Sequence, residues 1–277
     1  MPATDGFVRL DKLLVDRGLV ASRERASAMV LAGRVLVNEQ KVTKAGTAIA
    51  VDSALRLLGD DIPFVSRGGL KLQGALDHWK LSLTGRGAVD IGASTGGFTD
   101  CMLQRGAAAV VAVDTGYGQM AVPLRDDPRL RLLERTNART LAPASLLAEY
   151  ALLRAGIPVA PPQPDFFAMD VSFIGASLVL PAVVSALSAP ERPFQGEAVI
   201  LVKPQFEAGR EWVGKGGIVR DPEAHRIAID RVRSTVVDLG AQHTDITESP
   251  ITGTEGNREF LLYARFHAGT NGEPSDP

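Results

Sequence analysis

Apolar residues divide the chain into two parts with different periods. Near the N-terminus, Leu10, Leu13 and Leu14 share one helical face, and Gly18 closes that helix. Ser22 predicts the N-cap of a second helix over 23–32, with Ala26, Met29 and Val30 inward and Gly33 at its end. Arg34-Val-Leu-Val-Asn and Lys41-Val-Thr-Lys then read as a hairpin turning at Glu39-Gln40. From residue 87 the pattern changes to short, continuous apolar runs separated by amphipathic segments. Strands are expected at 87–92, 109–114, 131–135, 164–169 and 197–203, with helices at 97–105, 142–154 and 175–187. A helix near 223–238 precedes two further strands, Thr244 to Ile251 and Asn257 to Phe266, expected to pair antiparallel across Gly253 and Gly256. Regular alternation of this kind demands a mostly parallel sheet with helices on both faces, an α/β fold.

Between the two parts, Asp60-Asp61-Ile62-Pro63 reads as linker. Ser66 is placed to cap a helix whose apolar face is Leu72, Ala75, Leu76 and Trp79, and Lys71 points away from that stripe. Taken alone, such a lysine reads as a solvated helix residue. The expected organisation is a small α+β domain over 1–59, a linker over 60–66, a large α/β domain over 67–267 and a disordered tail over 268–277.

Composition adds three constraints. The single cysteine, Cys101, excludes a disulfide framework and suits a reducing cytoplasm. It follows the glycine turn on a helix and reads as core. The longest uncharged run, Val171 to Pro190, carries four serines, a glycine and an internal proline, so it reads as loop plus buried helix, with no membrane partner expected. The net charge is −2, yet residues 7 to 46 hold eight Lys and Arg against four Asp and Glu. A basic head on an acidic body is the asymmetry of a module that grips phosphates. Arg9, Lys12, Arg23, Arg25, Arg34, Lys41 and Lys44 form its candidate cationic face, with Arg67 just beyond the linker.

Gly87 to Asp114 reads as strand, glycine-rich turn, helix and second strand ending in an acid. The candidate ligand turn comprises Asp90, Gly92, Ala93, Ser94, Thr95, Gly96, Gly97, Phe98 and Thr99. Asp114 stands where a ribose would be held. The dinucleotide fingerprint would need glycine at Ser94, so a nicotinamide pyrophosphate is disfavoured. A nucleoside without phosphates, S-adenosylmethionine, fits better.

Polar residues also end two other apolar runs and open the last one. Asp170 ends Phe166-Phe-Ala-Met, Lys203 ends Ala198-Val-Ile-Leu-Val, and Glu259 opens the last strand. A lysine finishing a buried strand is costly unless paired, and Asp170 is its natural partner. Two lysines, counting Lys71, and two acids can serve to methylate a ribose 2′-hydroxyl, a poor nucleophile whose proton must be taken as it attacks. A lysine takes that proton only as the neutral amine, which burial and a second ammonium favour. By spacing alone, a structural ion-pair network at the strand ends explains the same residues equally well. Glu207 to Asp221, with four glycines, reads either as a lid or as a surface loop. The four histidines lack ligand spacing, so no metal site is expected.

The head resembles the S4-type RNA-binding module, on Arg9-Leu-Asp, Gly18-Leu, Ser22-Arg23, Ala26 and Gly33 to Asn38. It departs from that module at Glu39-Gln40, where Asn-Gly is usual. From Val8 to Phe266 the chain resembles the TlyA family. The shared stretches are Val65-Ser-Arg-Gly-Gly-Leu-Lys-Leu, Asp90 to Asp100, Asp114-Thr-Gly-Tyr-Gly-Gln, Asp170-Val-Ser-Phe-Ile, Leu201-Val-Lys-Pro-Gln-Phe-Glu and Gly256-Asn-Arg-Glu-Phe. That family was first called hemolysins and is understood as ribosomal RNA 2′-O-methyltransferases with an FtsJ-like catalytic domain. The resemblance implies a Rossmann-like S-adenosylmethionine methyltransferase sheet, mostly parallel with its last strand antiparallel. It implies cytidine riboses of ribosomal subunits as targets, and a cytoplasmic enzyme. It also implies a tetrad of Lys71, Asp170, Lys203 and Glu259, with Lys203 as base, and Asn137 near the adenine. The competing readings are a non-catalytic RNA-binding protein and a membrane-lytic hemolysin.

Overall fold

The structure is a computed structural model that describes residues 6–20, 22–58, 62–253 and 255–266. The expected linker residues 60 and 61 and the tail over 268–277 lie outside the described residues. The chain divides into two compact units, with the boundary between Pro63 and Phe64.

In the first unit, β1 (Phe7–Arg9) leads directly into α1 (Leu10–Asp16), and α2 (Arg23–Leu31) follows. Ser22 caps α2 by accepting from the backbone N–H of Arg25. Gly18 and Gly33 both take left-handed backbone after their helices, the conformation glycine adopts without strain. β2 (Val35–Val37) pairs with β3 (Gln40–Lys41) and, on its other side, with β5 (Leu55–Leu57). β4 (Ala48–Ala50) returns to pair antiparallel with β1. Leu10, Leu14, Ala26, Val30 and Val35 are fully buried at the centre of this small core.

The hairpin differs from expectation by one residue. Its turn is Asn38-Glu39, both left-handed with φ of 50° and 63°, and Gln40 already belongs to β3. A two-residue hairpin of this hand favours glycine at its second position. Here Glu39 occupies it, and Arg56 on β5 donates twice to the Glu39 carboxylate. The side chain of Asn38 accepts from the N–H of Ala54, tying the turn to the next segment.

The second unit opens with α3 (Gly68–His78) and then alternates: β6 (Gly87–Ile91), α4 (Gly97–Gln104), β7 (Ala109–Val113), α5 (Val122–Arg125), β8 (Leu130–Leu133), α6 (Ser145–Arg154), β9 (Phe166–Met169), α7 (Ala176–Ala186), β10 (Gly196–Val202), α8 (Pro204–Glu207), α9 (Pro222–Asp238), β11 (Ala241–Glu248) and β12 (Phe260–Phe266). The seven strands form one sheet in the order β8-β7-β6-β9-β10-β12-β11. The first five are mutually parallel, and β12 runs antiparallel to both its neighbours. The sheet is buried on both faces: α6, α7 and α9 pack together over one side, α3 with α4 over the other. Val171 to Pro190 is loop followed by α7 with Pro181 inside it. Among the described residues, no helix is long and apolar enough to cross a membrane.

The start of α3 also departs from the sequence reading. Arg67 holds the N-cap position in helical conformation, and no side chain caps the helix. Ser66 instead takes the N–H of Gly69 on its backbone carbonyl, and its hydroxyl sits where a Cβ on Gly97 would fall. The first turn of α4 is therefore pressed against the first turn of α3, and the Asp100 carboxylate accepts from the N–H of Val65.

Candidate active site

Parallel strands β6, β7, β9 and β10 end along one edge of the sheet. Strand order reverses about β6, the place where open α/β sheets leave a crevice. Each strand delivers one functional segment there: the glycine turn after β6, Asp114 after β7, Asp170 after β9 and Lys203 after β10. The antiparallel β12 starts at that same edge. Its Phe260 is in register with Val202, so Glu259 comes level with Lys203. Lys71 enters from α3. It avoids the helix's apolar stripe, as expected, but it is buried among these groups and is not the solvated lysine that helical position suggests.

The four charged groups form a chain. The Nζ of Lys71 lies 2.6 Å from Oε2 of Glu259 and 4.0 Å from Oδ2 of Asp170. Asp170 meets the Nζ of Lys203 at 2.6 Å through its other oxygen. Lys203 also donates to the hydroxyl of Ser172 at 2.7 Å. Lys71, Lys203 and Glu259 are buried, so each charge depends on its neighbours in place of water. Ser172 belongs to the Asp170-Val-Ser-Phe-Ile stretch, but nothing in its spacing marks it as a partner of a lysine thirty-one residues later.

These groups face a cavity of about 290 Å³ that is also lined by Ser66, Arg67, Gly92, Ser94 and Phe98. A second cavity, of about 360 Å³, runs from the same turn past Asp114 and Gly116 to Asn137 and the apolar side chains Val113, Ile174 and Val179. Gly92, Ser94, Asp170 and Ser172 line both, so the two form one crevice with a waist at the glycine turn. Gly92 is left-handed at φ 86°, and a Cβ there would lie 2.4 Å from the carbonyl oxygen of Asp170. Only glycine leaves the waist intact.

Asp114 is held rigidly, accepting from the N–H of Ser94 at 2.7 Å and from the N–H of Gly116 at 2.6 Å. Asn137 uses its side-chain oxygen to cap the short turn Ala138–Thr140 through the N–H of Arg139. A fixed carboxylate, an apolar slot and backbone stripped of side chains fit an adenosyl group. The slot opens onto two lysines.

Not every residue of the expected ligand turn reaches a cavity wall. Asp90 and Thr99 are fully buried beneath it, where the Thr99 hydroxyl donates to Oδ2 of Asp90 at 2.5 Å. The other Asp90 oxygen has no partner among the described residues, and burial pushes this carboxyl up to about 7. Gly96 faces Met120 and Leu124. These three hold the shape of the turn, whereas Gly92, Ala93, Ser94, Thr95, Gly97 and Phe98 line the crevice. Two further lining residues, Gln119 and Phe173, fall within the shared stretches 114–119 and 170–174 but are not singled out there as site residues. The Glu207 to Asp221 segment folds into short helical turns and is tied down by Asn257, which accepts from the N–H of Val219 and donates to the carbonyl of Gly217.

In the first unit the expected cations are unequal. Arg9 and Arg23 both converge on Asp11, and hydrogen bonding from Arg9, followed by smaller contributions from Arg23 and the Lys12 N–H, holds that carboxyl down at about 2 against burial. Lys12 pairs with Asp16, and Arg34 donates to the carbonyl of Leu58. Arg25 is half-buried on α2, and its N–H is the one that Ser22 caps. Lys41 lies over Gly33, and Lys44 is exposed. Arg67, in the second unit, donates to the carbonyl of Thr252 at 3.4 Å.

Comparison with known proteins agrees with this division. The family model described as FtsJ-like methyltransferase matches residues 64–266, and that of the S4 domain matches residues 8–53. The chain is 45% identical over 258 residues to YqxC of Bacillus subtilis, whose name assigns it provisionally as an rRNA methyltransferase; the match covers 93% of this chain and 85% of that protein. It is 41% identical to the 16S/23S rRNA (cytidine-2′-O)-methyltransferase TlyA of Mycobacterium tuberculosis, covering 93% of this chain and 89% of the relative. A solved structure of a hemolysin-named protein from Streptococcus thermophilus superposes with a TM-score of 0.65 at 39% identity, covering 95% of this chain and 90% of that one.

Proposed function

The chain belongs to the TlyA family of FtsJ-like methyltransferases, and we propose that it methylates ribose 2′-hydroxyls of ribosomal RNA from S-adenosylmethionine. The M. tuberculosis relative's name points to cytidine as the base. The observation that carries the reading is the chain Glu259–Lys71–Asp170–Lys203, three of whose members are buried, which opens onto the same crevice as the glycine turn.

When bound, S-adenosylmethionine would supply the methyl group from its sulfonium, the sulfur–methyl bond breaking to leave a neutral thioether. Asp114 would accept hydrogen bonds from the ribose of that donor. Val113, Asn137, Ile174 and Val179 would surround its base, and Gly92 and Gly97 would admit its chain along the turn. Lys203, as the neutral amine, takes the proton of the target 2′-hydroxyl as that oxygen attacks. The ammonium formed there lies 2.6 Å from the Asp170 carboxylate, which stabilises positive charge as it develops. Lys71, fixed by Glu259, bears on the opposite oxygen of Asp170 and keeps that carboxylate turned towards Lys203.

The S4 domain holds the RNA through its basic residues, and the ribosomal subunits of the cytoplasm are the partners. The test is transfer of labelled methyl from S-adenosylmethionine to purified small and large ribosomal subunits that lack the modification. Label in rRNA that resists alkali at a ribose is the expected result. No label on either subunit, with the donor still bound, would leave an RNA-binding protein without this activity.

A further inference from the structure

The carbonyl end of β9 carries a hydroxyl for which the four-residue charge chain has no use. Ser172 Oγ accepts from Lys203 Nζ at 2.7 Å while Asp170 Oδ1 lies 2.6 Å from the same nitrogen. Ser172 is also one of the four residues that line both halves of the crevice, so this contact is made at the waist. We propose that Ser172 is a positioning residue for the base, acting with Asp170 to aim the lone pair of Lys203. The proposal rests on the reading of Lys203 as the proton acceptor.

Tetrahedral geometry at the nitrogen supplies the reason. A neutral lysine amine has one bond to Cε, two N–H donors and one lone pair. With one N–H on Asp170 and the other on Ser172, three of the four directions are fixed, and the lone pair takes the fourth. Proton transfer then breaks the O–H bond of the ribose, forms the third N–H bond in that direction and disturbs neither anchor. Without the Ser172 acceptor, the amine keeps a single anchor and can turn about its Cε–Nζ axis, and the lone pair is shared between directions. General-base catalysis depends on this alignment as much as on basicity.

Ser172 can fill this role because its loop is held at both ends. At one end the N–H of Asp170 donates to the carbonyl of Ile91 on β6. At the other, the buried carboxylate of Glu207 accepts from the N–H and the hydroxyl of Ser177. A Cβ on Gly175 would lie 2.8 Å from that carboxylate. Glu207 ends α8, the short helix that begins immediately after Lys203. The segments 170–177 and 203–207 are therefore joined twice, through Lys203 and through Glu207, and Ser172 lies between the two joints.

Methyl transfer by Ser172→Ala, Ser172→Thr and Lys203→Ala, as single turnovers at saturating donor and subunit and as steady-state rates over a range of both, separates the possibilities. Removing one hydrogen bond to an ionising group predicts that Ser172→Ala slows the chemical step about 10-fold, with KM for donor and RNA within about 2-fold of wild type. Ser172→Thr, which keeps the hydroxyl, restores most of the rate. An unchanged rate in Ser172→Ala overturns the proposal. So does a loss that threonine fails to rescue, or one that appears in KM alone. Lys203→Ala is the control on the underlying reading: its activity should vanish. If it persists, the assignment of the base itself fails, whatever Ser172→Ala does.

Discussion

Asp170 touches Lys203 through one carboxylate oxygen, at 2.6 Å, and turns the other towards Lys71, 4.0 Å away. One carboxylate thus serves both lysines, and removing it takes away the anion that would stabilise the ammonium as it forms on Lys203. Asp170→Ala is expected to cost about 100- to 1,000-fold in the rate of methyl transfer, the scale of losing a preorganised charge at a reacting centre. Rapid-quench kinetics with saturating donor checks this, and a decrease of less than about 10-fold would contradict it.

Glu259 depends on Lys71 for its charge balance. Its carboxylate is buried, and the lysine at 2.6 Å is its ion-pair partner. Lys71→Ala should therefore destabilise the protein by about 3–5 kcal/mol, because it strands a buried anion. The apolar double variant Lys71→Met with Glu259→Leu should be affected much less. Urea unfolding of Lys71→Met, Glu259→Leu and the double variant closes the cycle, and a double-variant effect equal to the sum of the two single effects would show that the pair is not coupled.

Asp90 predicts an unusual pH dependence of stability. Its carboxyl is raised by burial to about 7, whereas an unfolded Asp titrates near about 4. The folded state therefore binds the proton more tightly, so its contribution is full below about 4 and is lost as pH rises through about 7. Asp90→Asn retains an acceptor for the Thr99 hydroxyl and cannot titrate. Its unfolding free energy should fall less steeply than that of the wild type between those limits. Parallel curves for the two proteins would count against a raised Asp90.

Asp114 is fixed by two backbone N–H groups and lines the half of the crevice proposed to take the adenosyl group. Asp114→Ala should weaken S-adenosylmethionine binding by about 10- to 100-fold, the range for hydrogen bonds to a charged group. Isothermal titration on the isolated protein reads this without any RNA. Unchanged affinity would move the ribose contact elsewhere.

On the S4 domain, Lys41 and Lys44 are better probes of phosphate binding than Arg9 or Arg23. Both arginines hold Asp11, so replacing them disturbs the small domain as well as its charge. Lys41→Ala with Lys44→Ala should weaken RNA binding uniformly across sequences. It should reduce the slope of log affinity against log salt by roughly 0.7 to 0.9 for each phosphate that is no longer neutralised. A slope equal to that of the wild type would place the RNA on another face.

Most of the architecture was legible because buried parallel strands are continuous apolar runs, and each polar residue that ends one stands out. Asp114, Asp170 and Lys203 could be singled out for that reason. Periodicity did not mark Lys71, which entered the candidate site through the resemblance, and nothing marked Ser172. A helical lysine off the apolar stripe looks solvated until the sheet edge closes over it, and a serine in a loop acquires a partner only through the fold. Periodicity also missed the left-handed Asn38-Glu39 turn, since Glu39 lacks the glycine signal and its Arg56 partner comes from β5. The burial of Asp90 and Thr99 beneath their turn was equally hidden, because composition groups them with the glycines that line the crevice.

The central claim is that Lys203 accepts the ribose proton. Its most direct test is single-turnover methyl transfer to ribosomal subunits by Lys203→Ala and Lys203→Met, with donor and RNA affinities measured on the same preparations. A rate reduced by at least about 1,000-fold, with both ligands bound at near wild-type affinity, is the predicted result. Transfer within about 10-fold of the wild type would contradict it.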